Sequence, residues 1–221
     1  MCETTIRVQG KGAIHVVPDV TRVEVSIQQW FESHSATYAQ AKENSSWMVK
    51  ILEYNKKPGD LAKTVRFDIE DYTENEYDED DNYIGKKKNG YMLNQRIKID
   101  LPIDNVLVNN IVKGVGKFIP NAQINIGYTL QDERPSQMKM LARAVSDARD
   151  KARVMAESVD CKVGKVLHIQ YSYSNVHVFS QARNIHSNSE AKASTASSLD
   201  ITPDDLVMSD TADVTFQLLN P

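Results

Sequence analysis

The sequence predicts an α+β fold: an antiparallel or mixed sheet with a ferredoxin-like βαββαβ core, helices on one face, a long C-terminal helix and two further strands. Three observations predict it. Val23, Val25 and Ile27 alternate with Arg22, Glu24 and Ser26, the period of a half-buried strand, and several other runs do the same. Other stretches repeat apolar residues at spacings of three and four, the period of one helix face. In the middle of the chain the two patterns follow one another as strand, helix, strand, strand, helix, strand, the order of a split βαβ arrangement.

Thr5 to Gly10 alternates as a short strand, and Gly10-Lys11-Gly12 reads as a turn into the next one. Ser33 to Ser35 offers helix caps, and Tyr38, Ala41, Ser45, Met48 and Leu52 mark a helix over 36–55 that Pro58-Gly59 stops. Val65, Phe67 and Ile69 begin a strand whose partner is Tyr91 to Leu101, with Gln95 interrupting its apolar row. Between them, 73–90 forms a charged hairpin loop, acidic from Glu74 to Asp81 and basic at Lys86, Lys87 and Lys88. Opposite charges facing across such a hairpin stabilise it by about 0.2–1 kcal/mol per pair.

Pro102 closes that strand and Asp104 caps a helix carrying Leu107, Val108, Ile111, Val112 and Val115, which Pro120 blocks from continuing. Ile124, Ile126, Tyr128 and Leu130 alternate as a strand. A long helix follows over 135–159, with Met138, Leu141, Val145, Ala148, Ala152 and Met155 as its apolar seam. On its wet side Arg143, Asp147 and Lys151 are spaced for i,i+4 ion pairs. A strand over 165–178 and a final one over 212–218 complete the set. The stretch 180–198, rich in Ser, Ala and Asn, has too little apolar surface to offset ordering and reads as a mobile loop within a single domain spanning 1–221.

Composition narrows the function classes. The chain has 221 residues, enough to bury a sizeable core without staples, and only two cysteines, Cys2 and Cys161. A net charge of −4 with mixed signs argues against nucleic acid as a partner. No run approaches the ~18 apolar residues of a membrane span. The opening MCETTIRV enters a strand pattern with no apolar signal region, so the chain as given reads as cytoplasmic, and as periplasmic if a leader has been removed.

The candidate chemistry is sparse. His15, His34, His168, His177 and His186 include no pair at a metal-ligand spacing. Gly10-Lys11-Gly12 lacks the glycine spacing and Lys-Ser/Thr pair of a phosphate loop. Asp78, Asp80 and Asn82 are spaced like calcium ligands, but Tyr83 replaces the required glycine and Asn89 the bidentate Glu, so a solvated hairpin tip is the better reading. Cys161, near Lys162 and Lys165, reads as an inert thiol. Trp30 and Trp47 are too isolated to build a stacking platform with basic neighbours. No nucleophile elbow or pKa-raising carboxylate pair is present. Catalytic, cofactor-binding and metal residues are therefore all read as none, and no cofactor is implied.

Four stretches in register resemble the SIMPL family, a group of proteins of unknown function that includes bacterial oxidative-stress-defence-like and periplasmic immunogenic members. They are IRVQGKGAIHVVPDVTRVEVSI at 6–27, the pair Gly90-Tyr91 before an alternating strand, INIGYTLQDE at 124–133, and LARAVSDARDKARVMAESVDCKVGKVLHI at 141–169. Pro203-Asp204 stands where members often have Pro-Gly, and the acidic-basic loop is particular to this chain. The resemblance implies an α+β fold and assembly into rings or larger oligomers. It also implies links to stress defence or the cell envelope in bacterial members, and to signalling-kinase association in an animal one. It carries over no catalytic residue. The reading is a non-enzymatic protein that forms homo-oligomers or meets a protein partner through open sheet edges and the alanine-rich helix. The alternatives are a binding module for a small ligand or partner protein, and an unrecognised enzyme.

Overall fold

The computed structural model describes residues 4–171, 180–186 (backbone only) and 203–220, and the chain forms two compact units. The first holds β1 (Thr5–Val16), α3 (Arg134–Glu157), β6 (Lys162–Gln170) and β8 (Leu206–Leu219). The second holds β2 (Val20–Phe31), α1 (His34–Tyr54), β3 (Lys63–Tyr77), β4 (Tyr83–Pro102), α2 (Asn105–Phe118) and β5 (Ala122–Thr129), with β7 (Ser180–His186) beside β5. The protein is thus mixed α+β with antiparallel sheets.

In the first unit the strand order is β1-β8-β6, and both outer strands run antiparallel to β8. The sequence predicts a turn at Gly10-Lys11-Gly12. Instead β1 runs straight through it, because the glycines serve packing against α3. A side-chain carbon at Gly10 would overlap the carbonyl of Ala144, and one at Gly12 the carbonyl of Met140. The same close approach moves the helix seam. The buried residues of α3 are Met140, Ala144, Ala148, Ala152 and Ala156, while Met138 and Met155 are 56% and 50% exposed. Beyond Met140 the buried face of α3 carries only alanines, the size of side chain that fits where the helix backbone lies on the strand. Phe216, Val214 and Val8 fill one end of this interior, and Met208, Leu206 and Ile14 the other.

The second unit is built on larger side chains. Its strand order is β3-β4-β2-β5-β7, with β2 and β3 each antiparallel to β4. The inward rows Val23/Val25/Ile27 and Leu93/Ile97/Ile99/Leu101 pack with Met48 and Leu52 of α1 and Ile111 and Val115 of α2, so both helices lie on one face. Both predicted caps are present: Ser33 Oγ accepts from the Ala36 N–H, and Asp104 Oδ1 from those of Val106 and Leu107. Gln95, which interrupts the apolar row, is 3% exposed. Its amide donates to Ser45 Oγ (2.9 Å) and the Ala41 carbonyl (3.2 Å) and accepts from Asn44 Nδ2 (3.3 Å), so the break in the pattern is a satisfied polar lock between β4 and α1.

The predicted boundaries shift in two places. The helix predicted as C-terminal is α3, followed by three strands, β6, β7 and β8, rather than two, and the final strand predicted over 212–218 is the latter part of β8. Ser180–His186 is strand β7, and the rest of the Ser-rich segment, 187–198, lies outside the described residues.

Candidate functional site

The stretch between β3 and β4 is a ladder, not a loop. Pairing of β2 with β4 ends at Phe31 opposite Tyr91, and beyond that point β4 pairs with β3 alone among the described residues. The register runs Thr73 to Lys88, Glu74 to Lys87, Asn75 to Lys86 and Glu76 to Gly85, so of the acidic residues only Glu74 stands opposite a lysine. Gly90, at φ +113°, sits where the ladder shifts register, in a backbone region that favours glycine. A side chain there would meet the Phe31 carbonyl and the Trp30 indole, whose N–H donates to the Asn89 carbonyl at 2.6 Å.

The result is a two-stranded arm with almost every residue from Thr73 to Asn89 exposed. Its base is charge-balanced: Lys88 Nζ lies 2.7 Å from Asp71 and 4.1 Å from the Tyr91 ring centroid, and the Asp71 hydrogen bond raises the ammonium above its ordinary pKa. Its tip is not. Asp78, Glu79, Asp80 and Asp81 stand together between Tyr77 and Tyr83, whose rings meet edge-on at 6.0 Å. Asp78 Oδ1 accepts from the backbone N–H groups of Asn82 (2.8 Å) and Asp80 (2.9 Å), and the Asn82 amide donates as well. These bonds, the Asn82 backbone first, hold the Asp78 carboxyl below its ordinary pKa. One of the predicted calcium-like ligands is thereby spent on closing the turn.

A groove of about 630 Å³ lies between α1 and α2. Trp47 and Phe118 stack in it at 4.4 Å and 11°, with Lys50 Nζ 4.6 Å from the indole and Lys117 Nζ 4.9 Å from the phenyl ring. Lys113, Tyr54, Asn55 and Asn110 complete its walls. Its floor is Gly114, where an added carbon would stand 2.9 Å from Ile51 Cγ2, so the glycine lets the two helices approach. This corrects the expectation that Trp47 is isolated from basic neighbours. Its stacking partner lies 71 positions downstream, a pairing no local pattern reveals.

On the sheet face away from the helices, a polar trough of about 630 Å³ is lined by Ser26, Gln28, Arg66, Asn94, Arg96 and Gln123. Arg66 pairs with Asp68 and Glu70, and Arg96 has no ion-pair partner among the described residues. Further along that face Arg22 grips Asp100 with two bonds, 2.7 and 2.9 Å. Burial alone pushes the Asp100 carboxyl up, but the Arg22 bonds and charge, with Lys98 behind them, outweigh it and hold the group below its ordinary value.

The remaining singled-out residues are dispersed. His15 and His168 are exposed on β1 and β6, and His34 meets Tyr91 edge-on at 5.5 Å. His177 and Cys2 lie outside the described residues, as does the side chain of His186. Cys161 is a free, half-buried thiol 3.8 Å from Asn220 Oδ1. The i,i+4 pair Asp147–Lys151 is present at 2.7 Å, but Arg143 turns to the Ala13 carbonyl instead. In the first unit, buried Asp210 accepts from the Tyr171 hydroxyl at 2.6 Å and the Thr211 N–H at 2.7 Å. Among the described residues, no group of three or more His, Cys, Asp and Glu is placed to hold a metal ion, and no helix is long and apolar enough to cross a membrane.

No curated protein matches this chain significantly. The family model for SIMPL, described as a protein of unknown function (DUF541), matches residues 6–216. That span takes in the glycine-bearing strand β1, the Gly90 bulge and the alanine face of α3 alike, and with nearly its whole length covered the chain belongs to the SIMPL family.

Proposed function

We propose that this protein is a non-enzymatic component that works by self-assembly, with the β3–β4 arm as its contact element. The observation that carries this reading is the arm itself. A two-stranded ribbon on which no described residue packs is marginally stable alone, and an exposed edge strand is a template for association. The exposed Tyr77, Tyr83 and Ile84 on it are the kind of residue that contact surfaces use. The biological setting we propose, stress defence or the cell envelope, rests on family likeness alone. The βαββαβ order of the second unit, with β3-β4-β2-β5 side by side, supports the finer reading of its core as ferredoxin-like.

Light scattering across micromolar concentrations tests it. The full chain is expected to assemble, and a variant in which 73–89 is replaced by a tight Asn-Gly turn is expected to dissociate. A chain that is strictly monomeric throughout overturns the reading.

A second reading, a module for a small anionic ligand, is favoured by the polar trough, where Arg96 has no ion-pair partner among the described residues. Calorimetric titration with inorganic phosphate and citrate, against Arg96→Ala, tests it. Heat that is absent, or that persists in the variant, counts against it.

A further inference from the structure

We propose that the groove between α1 and α2 receives the acidic, tyrosine-bearing tip of the β3–β4 arm from a second copy of this chain. This rests on the assembly reading above and names its contact.

The two surfaces match in charge, in aromatic character and in what each lacks among the described residues. At the tip, Glu79, Asp80 and Asp81 have no cationic partner among the described residues. In the groove, Lys50, Lys113 and Lys117 have no carboxylate partner among them either. Clusters of one sign with no internal counter-charge repel themselves, and each is relieved by the other. The Tyr77–Tyr83 pair at the tip meets its counterpart in the Trp47–Phe118 stack, with Tyr54 beside it. Aromatic groups flanked by charge are what anchored contacts use.

Both sides are also pre-shaped, which lowers the ordering cost of association. The Asp78 bonds to Asp80 and Asn82 set the turn before any partner arrives. The Trp47 indole is held by its stack on Phe118 and by its N–H bond to Glu43 at 3.3 Å. A groove of about 630 Å³ lies within the range of roughly 300–1,000 Å³ that accommodates a compact ligand, and a turn tip of a few side chains is of that size. Tip and groove are different surfaces, so the contact closes as a reciprocal pair or runs head to tail into a ring or filament.

Sedimentation velocity on the full chain tests this with two charge-reversed variants. One carries Glu79→Lys, Asp80→Lys and Asp81→Lys, and the other carries Lys113→Glu and Lys117→Glu. Each alone is expected to self-associate about tenfold more weakly, or worse, and their equimolar mixture to recover association, since reversed tip then meets reversed groove. Recovery also excludes misfolding as the cause of the loss. Wild-type association is expected to weaken in 0.5 M salt. If the wild type assembles and both variants assemble equally well, the contact lies elsewhere and only this proposal falls. If the wild type is monomeric at every concentration, the assembly reading falls and takes this one with it. If the groove variant assembles normally but loses citrate binding that the wild type shows, the groove serves a free anion and the proposal is overturned.

Discussion

Strands β1 and β3 each lie at the edge of a sheet, and they are finished in different ways. Along β1 the outward backbone groups are met by α3: the Lys11 N–H donates to Asp147 at 2.7 Å, the Ala13 carbonyl accepts from Arg143 at 2.7 Å, and the Gln9 carbonyl accepts from Lys151 at 3.3 Å. Asp147 and Lys151 keep the i,i+4 pair predicted for them, and together with Arg143, which leaves its predicted partner, they seal a sheet edge. Along β3 no helix among the described residues does this. Charged residues such as Lys63, Arg66, Asp68 and Glu70, with register shifts near Val65 and Tyr72, guard an edge that stays accessible. The difference teaches what sealing requires. A helix can reach an edge strand's backbone only if it lies close, and it lies close to β1 because Gly10 and Gly12 face a row of alanines. The edge of β3 faces no such helix, and it leads into the arm proposed as the contact element.

The same contrast runs through the two interiors, and the largest expected effects lie there. Enlargement should break the first unit. Gly12→Ala places a carbon on the Met140 carbonyl, so strand and helix must separate, at a cost of about 3 kcal/mol or more. Truncation should break the second: Ile97→Ala, fully buried among large aliphatics, should cost about 2–5 kcal/mol. Urea unfolding, with hydrogen exchange to assign the loss to one unit, checks both. A neutral Gly12→Ala would show that β1 and α3 are not packed backbone to backbone.

A smaller effect should come from Asp147→Asn, which weakens the seal while keeping its shape. The Lys151 hydrogen bond, then the Lys11 N–H, hold the Asp147 carboxyl below its ordinary pKa. A depressed folded value means the ionised group stabilises the fold above the unfolded pKa of about 3.9, and that this contribution disappears as pH falls through the lower folded value. Wild type should therefore exceed the variant in stability at neutral pH and converge with it in acid, and the Lys11 amide should exchange faster in the variant. A difference that persists undiminished to pH 2 would remove Asp147 ionisation from the account of the seal.

The smallest effect is expected on the arm. Lys88→Ala removes the Asp71 pair and the ring contact with Tyr91, both open to solvent, and should leave the urea midpoint unchanged within error. A clear loss of stability would mean that the arm is tied into the second unit more firmly than its exposure indicates.

The sequence by itself determined the kind of element nearly everywhere, both predicted helix caps, the alternating core rows of β2 and β4, and the family. These follow from local rules: a period of two or of 3.6, a capping side chain before a helix, and a motif order along the chain. Only the tertiary structure decided which face of α3 is buried, that Gly10 and Gly12 belong inside a strand, that Trp47 has an aromatic partner, and that Arg143 and Lys151 hold the β1 backbone. Each of these depends on how closely two elements distant in sequence approach. Glycine permits a turn and a close contact equally well, and an alanine stripe is weakly apolar beside methionine and leucine. A local pattern therefore ranks the large residues as core, whereas the space left between two packed backbones is taken, past Met140, by alanines.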